Sequence, residues 1–217
     1  MSLTKTTRIG VVLGSSRGQR LGERVIRWVL TKAEEVPEAD FALFDLACYQ
    51  LPFFDEAIAP WGNPDRHPAP NVARWLDDMA SADGYLFVVP EYNLAVPAVV
   101  KNALDLLAHE ADAKPASILT YSDTFNGGVT AGHEFRLVVS KLGMLPLPMT
   151  LPLPHAEQLL DPDGSLAADS RFAKVVAQVL PYLLRELARY AAALRPLREE
   201  MAAWEKPWRD QQAYPDG

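Results

Sequence analysis

The sequence predicts an α/β fold in which a parallel sheet is covered by helices on both faces. Three observations carry that prediction. Short apolar runs alternate five times with segments of helical period, the pattern of successive strand–helix–strand units. The runs RIGVVLG (8–14) and DGYLFVVP (83–90) are continuously apolar, as strands shielded from water on both faces must be. Finally, 217 residues with 49% hydrophobic and 23% charged content suffice for one sizeable core, so a single domain is the expectation.

The elements follow in order. After the first strand, GERVIRWVLTKAEE (22–35) places Val25, Ile26, Val29 and Ala33 at helical spacing, and Val36-Pro37 ends it. DFALFDL (40–46) alternates as a second strand. The connection 47–70 is studded with prolines and has no sustained period, a length that marks a functional or interface-forming segment. NVARWLDDMASA (71–82) reads as a helix starting at Asn71, and 83–90 as the third strand. VPAVVKNALDLLAHE (96–110) is helical, with proline in its first turn and Val100, Ala103, Leu104 and Leu107 on one side. AKPASILTYSD (113–123) is a fourth strand, and VTAGHEFRLVVSKLG (129–143) a fourth helix ending at Gly143. MLPLPMTLPLP (144–154) is extended but too rich in proline for a central position, which puts it at a sheet edge. A long helix from about Asp169 to Leu194 closes a domain spanning 1–194. The tail over 195–217 has two readings: a solvated helix end, or a short helix laid on a neighbouring subunit with Trp204 and Trp208 buried there.

Composition narrows the function. A net charge of -7, with Arg195, Arg198 and Lys206 diluted by acids nearby, argues against a nucleic-acid binder. No apolar stretch reaches the roughly 20 residues that cross a bilayer, and the N-terminus lacks a signal peptide's apolar segment, so a cytoplasmic protein is expected. The single cysteine, Cys48, excludes an internal disulfide and reads as a packing residue rather than a nucleophile. His67, His109, His133 and His155 stand in dissimilar contexts without metal-ligand spacing, so no metal site is expected.

In parallel sheets of this kind ligands bind beyond the carboxyl ends of the strands, which singles out the loops after strands one, three and four. In LGSSRGQRLG (13–22), Gly14 permits a sharp turn, Ser15 and Ser16 offer hydroxyls and amides, and the following helix presents unpaired N–H groups. That is a site for a phosphate, to which Arg17 or Arg20 would add charge. The loop lacks the Gly-Lys-Ser/Thr ending of a triphosphate loop and the three-glycine dinucleotide fingerprint, so a monophosphate fits better. In the second loop Pro90 ends the strand, Tyr92 offers an aromatic face and Asn93 can donate and accept. Glu91 reads either as a general base or as a brace that holds the loop. In the third, Ser122 ends the strand, and Gly127 with Gly128 would let a ligand edge approach the main chain. His133 is either a proton donor or a polar residue of the fourth helix.

GSSRGQRLG, PEYNLAVPAVVKNALD and YSDTFNGGVTAG, in that order and at those separations, resemble the NADPH-dependent FMN reductases. The resemblance runs from about Arg8 to Pro154, and the Pro-Glu-Tyr-Asn turn with Lys-Asn-Ala-Leu-Asp is its specific part. It implies a flavodoxin-like three-layer sandwich whose five-stranded parallel sheet has the order 2-1-3-4-5. It implies FMN as cofactor, with Ser15, Arg17, Gln19, Arg20, Leu21 and Gly22 around its phosphate. Pro90, Glu91, Tyr92 and Asn93 would border the isoalloxazine and ribityl chain, and Ser122, Gly127 and Gly128 the other side. The implied activity is a ping-pong transfer from NADPH (or NADH) to a small acceptor: a quinone, azo compound, metal oxyanion or free flavin. The chemistry resides on the flavin, so no catalytic side chain is obligatory. A homodimer or homotetramer is implied, with Phe53, Phe54 and Trp61 of the 47–70 connection either walling a partner's site or capping their own core. The sequence departs from the family where Leu94 and Ala95 follow the Pro-Glu-Tyr-Asn turn, which makes that rim more apolar, and where DTFN precedes Gly127. Two rivals remain: a flavodoxin-like electron carrier, against which the basic first loop argues, and a flavin-free redox-sensing scaffold.

Overall fold

Seven residues of strand β3 (Gly84–Pro90) are all buried, and the sheet is built outward from them. In the computed structural model, which describes residues 6–63, 65–167 and 170–212 with side chains to residue 203, five parallel strands run in the order β2-β1-β3-β4-β5. β1 (Thr7–Leu13), β3 and β4 (Pro115–Tyr121) occupy the interior, and β2 (Ala39–Asp45) and β5 (Leu145–Leu153) the edges. The proline-rich strand stands at the edge expected of it. Its register against β4 slips between Ala116 and Ile118, where Pro146 and Pro148 offer no N–H to the ladder.

Side-chain alternation along the strands divides the core in two. Ile9, Val11, Leu13, Leu86, Val88 and Leu119 point toward α1 (Gly22–Ala33) and α7 (Arg171–Gln212). Val12, Phe44, Tyr85, Phe87, Val89 and Ile118 point toward α3 (Pro70–Ser81), α4 (Ala98–Asp105) and α5 (Val129–Lys141). Three layers result, with both sheet faces dry, which is why the central strands read as unbroken apolar runs. Gly10 sits where a Cβ would lie 2.4 Å from the ring of Phe44, so the second face closes only over a glycine.

Several helix ends differ from the sequence reading, each for a local reason. α3 begins at Pro70, and Asn71 is not its cap: the amide of Asn71 donates instead to the carbonyls of Tyr49 (3.3 Å) and Gln50 (2.8 Å). Proline at the first helical position needs no cap for its missing N–H. α4 stops at Asp105, short of His109, and Pro97 stands just before it rather than in its first turn. α5 ends as expected: Gly143 takes φ +77° while its N–H bonds Ser140 and that of Met144 bonds Val139, a Schellman motif. The 47–70 connection holds a turn of helix α2 (Leu46–Tyr49) and a 3-10 turn at Pro60–Gly62, and a short helix α6 (Ala156–Leu159) follows β5. Cys48 on α2 is exposed, not packed. Lys114 is buried, and burial pulls its ammonium down to about 8; it donates to the carbonyls of Met79 (2.8 Å) and Ala80 (2.9 Å) at the end of α3.

The largest difference is the closing helix, which runs past Leu194 to Gln212 despite Pro196. Asp83, which precedes β3, holds it there. Arg195 donates Nε to Oδ1 (3.0 Å) and Nη2 to Oδ2 (2.5 Å), Arg198 donates to Oδ1 (2.7 Å), and the Arg8 amide to Oδ2 (2.9 Å). The basic residues that sequence composition marks as a diluted tail thus clamp the helix to the amino-terminal edge of the sheet. The side chains of Trp204 and Trp208 lie outside the described residues.

Burial pushes the Asp83 carboxyl up, but the hydrogen bonds from Arg195 and Arg8 outweigh it and hold it below its ordinary value. A carboxylate with a depressed folded-state value contributes stability above its unfolded value and loses it as pH falls. Asp83→Asn is therefore expected to cost on the order of 3 kcal/mol at pH 7 in urea unfolding, and to flatten the loss of stability below about pH 4.

Candidate functional site

The loop after β1 is shaped by what it does not bond. Among the described residues, no amide N–H from Ser15 to Gly22 donates to a protein acceptor, while Gly14 N–H is spent on Val88 O (2.9 Å). α1 begins behind Leu21 with no side-chain cap. A row of free amides at an uncapped helix N-terminus carries partial positive charge and suits an anion. Beneath it the hydroxyl of Tyr121 is buried without a hydrogen-bond partner. Gly22 admits that tyrosine: a Cβ there would stand 2.5 Å from its hydroxyl oxygen. Gly14 is glycine for packing rather than for a turn, since a Cβ would meet Val100 and Val89 at 2.7 Å; the left-handed residue of the loop is Gln19, with φ +50°.

A loop whose amides are unspent is held by side chains. Arg20 folds back onto the Ser15 carbonyl and pairs with Asp45 at the end of β2 through Nη1–Oδ1 (2.8 Å) and Nη2–Oδ2 (2.5 Å). Its side chain is 9% exposed, and the bond to Asp45 raises its already high pKa. Arg20 is therefore a brace, and the charge left at the rim is Arg17, exposed and 5.6 Å from the ring centre of Tyr92. Ser15 Oγ lies 3.1 Å from the Tyr92 hydroxyl, which joins the first loop to the second. Asp45 is a participant that sequence reasoning missed, although an acid ending the neighbouring strand beside a basic loop is a readable signal.

After β3, Glu91 resolves as a brace rather than a base. Its Oε1 accepts from the Asn126 amide (3.0 Å) and its Oε2 from the backbone N–H of Ala131 (3.0 Å) in the first turn of α5. It thereby caps α5 and ties the second loop to the third. Tyr92 and Ala95 exchange backbone bonds (2.8 and 3.1 Å) around a two-residue turn. Both central residues are left-handed, Asn93 at φ +51° and Leu94 at +67°, which defines a type I′ turn. Asparagine tolerates that region, whereas a leucine there costs about 1 kcal/mol or more.

After β4, Ser122 Oγ lies 2.8 Å from Thr124 Oγ1 and faces Asn126 Oδ1, so its hydroxyl orders the loop. Gly127 and Gly128 are left-handed, at φ +62° and +84°. The close approach they allow is to the protein itself: a Cβ would meet Pro154 N at 2.7 Å from Gly127 and Thr120 Cβ at 2.9 Å from Gly128. Phe125 projects 84% exposed, and His133 lies exposed on α5. The 47–70 connection is pinned by Asn102 of α4, which donates to Pro52 O (2.8 Å) and accepts from Phe54 N–H (2.9 Å), and by Arg66 on Glu56. Phe54 packs on the second core, the capping role expected of it, while Phe53 and Trp61 are exposed. Among the described residues no cluster of metal-ligating side chains occurs, and no helix is long and apolar enough to cross a membrane.

The site thus combines an anion cradle, an aromatic turn and a braced glycine loop at the carboxyl ends of β1, β3 and β4, with no nucleophile–base pair. Comparison with known proteins places the chain in a family. The model of the family described as NADPH-dependent FMN reductase matches residues 7–158. A NAD(P)H-dependent FMN reductase from Schizosaccharomyces pombe is 34% identical over 151 residues, 68% of this chain and 74% of that protein. Another from Nectria sp is 30% identical, covering 88% and 99%, and a quinone reductase from Pseudomonas putida is 28% identical, covering 88% and 96%. Among solved structures, a flavoenzyme NAD(P)H:(acceptor) oxidoreductase from Paracoccus denitrificans shares the fold with TM-score 0.68 and 22% identity, over 85% of this chain and 97% of its own.

Removing the Glu91 carboxylate strands the Ala131 amide and the Asn126 side chain. Glu91→Ala is expected to cost about 2 kcal/mol in chemical unfolding and to speed hydrogen exchange at the Ala131 amide. A change below about 0.5 kcal/mol, the range of ordinary surface substitutions, would contradict the bracing role.

Proposed function

Since the chain belongs to the NADPH-dependent FMN reductase family, we propose that it is an FMN-dependent NAD(P)H oxidoreductase that passes reducing equivalents to a small acceptor of the quinone, azo, metal-oxyanion or free-flavin type. The observation that carries the reading is the run of unspent amides from Ser15 to Gly22 at the uncapped start of α1. These residues fit the phosphate of FMN: the cradle is the right sign, it is long enough to surround one phosphate, and the orphaned Tyr121 hydroxyl adds a polar floor.

FMN bound there supplies acceptance of a hydride from a nicotinamide and delivery of electrons to the acceptor. The chain's own work is positioning. The amides of Ser15 through Gly22, including those of Gln19 and Leu21, hold the phosphate, and Arg17 adds an exposed positive charge at the rim. Arg20 keeps the loop in shape through Asp45. Pro90, Tyr92 and Asn93 border the ring and its side chain. Ser122, Gly127 and Gly128 line the opposite side, their loop held by Glu91 through Asn126. The exposed Phe53 and Trp61 suit burial against a second copy, in a homodimer or homotetramer that completes the wall of the site. A compartment that supplies NADPH, the cytoplasm, is the working location.

The purified protein loaded with FMN is expected to be yellow, to bind riboflavin at least about 100-fold more weakly because it lacks the phosphate, and to bleach on anaerobic mixing with NADPH. Arg17→Ala should weaken FMN binding several-fold with little change in melting temperature. One slot serving nicotinamide and acceptor in turn gives parallel double-reciprocal lines; intersecting lines would refute that order. A yellow protein that NADPH leaves unbleached would instead be an electron carrier.

A further inference from the structure

Leu94 is the one bulky apolar residue among the non-glycine residues described with a positive φ; the others are Gln19, Gln50, Asn93, Ala113 and His155. Its turn is type I′, whose two central positions favour Asn-Gly, so Asn93 conforms and Leu94 stands where a glycine would be relaxed. Folding does not explain it. The side chain is 59% exposed and belongs to neither core. The turn is anchored without it: Tyr92 and Ala95 close the backbone, Val96 packs on the second core, and Glu91 reaches across to Asn126. A strained residue with no packing role, on the loop that borders the site, points to a contact made with a ligand.

We infer that Leu94 selects the electron acceptor: held out at the tip of the Tyr92–Ala95 turn, its side chain provides an apolar contact for the ring of a hydrophobic aromatic acceptor and offers nothing to a hydrated ion. The inference rests on the oxidoreductase reading and adds to it the residue that discriminates between acceptor classes. A leucine half out of water gains by covering an apolar ring. It has no donor or acceptor with which to replace the hydration of a polar one.

The test uses the full-length protein loaded with FMN, photoreduced without oxygen by EDTA as the sacrificial electron donor and then mixed with menadione or with ferricyanide. The balance is simple: two electrons and two protons turn the naphthoquinone into its hydroquinone, or two ferricyanide ions each take one electron. Leu94→Gly, which suits the turn, is expected to slow reoxidation by menadione about tenfold at low acceptor concentration while ferricyanide changes less than about twofold. Leu94→Met is expected to restore the menadione rate. A second readout needs no turnover: binding of 2-methylnaphthalene to the oxidised protein, followed by fluorescence, weakens about tenfold in Leu94→Gly and recovers in Leu94→Met, with no fall in melting temperature for the glycine variant. Equal slowing of both acceptors, or unchanged menadione and naphthalene data, overturns the inference. Because photoreduction replaces NADPH, failure of the oxidoreductase reading appears separately, as a flavin that NADPH does not reduce.

Discussion

A loop whose amides are unspent cannot use them to hold itself. Everything at the carboxyl end of this sheet follows from that constraint. From Ser15 to Gly22 the backbone donors are uncommitted, so shape has to come from outside: Arg20 pinned to Asp45, Ser15 joined to Tyr92, and Gly14 wedged against Val89 and Val100. A partly buried bidentate ion pair is a stiff support, and it leaves the N-terminal charge of α1 available. The second and third loops obey the same logic. Glu91 spends both oxygens on the third loop and the start of α5, and Ser122, Thr124 and Asn126 bond among themselves.

The two ends of the sheet divide the labour. The candidate site gathers where the strands end, with free donors, a left-handed turn and exposed aromatics. At the opposite end Asp83 gathers Arg8, Arg195 and Arg198, and Lys114 closes the end of α3. The Asp83 carboxylate is paired there with two guanidiniums, and the Lys114 ammonium is satisfied by two carbonyls, which is what makes burying these charges tolerable. The left-handed Leu94 is held by the Tyr92–Ala95 backbone bonds and by the Glu91 brace beside them.

The architecture was legible because it rests on local patterns. Continuous apolar runs mark strands covered on both faces, the prolines of 144–154 demand an edge, and Gly143 stops its helix with a left-handed residue. The three candidate loops were legible for the same kind of reason: glycines, hydroxyls and the Pro-Glu-Tyr-Asn turn stand directly after those runs.

What lay beyond the sequence was the choice of partner. Nothing local says that Arg20 faces Asp45 twenty-five positions away, that Glu91 bonds Ala131 rather than a substrate, or that Gly127 is small for the sake of Pro154. Nor could a local rule carry a helix through Pro196, since its intrinsic propensity there is poor and the opposing energy comes from Asp83, more than a hundred residues earlier. Propensity and period are summed over neighbours in the chain and so survive in the sequence. The pairing of charges and the filling of space are decided between segments that meet only once the sheet has assembled, and those decided which residues brace the site and which remain free to act.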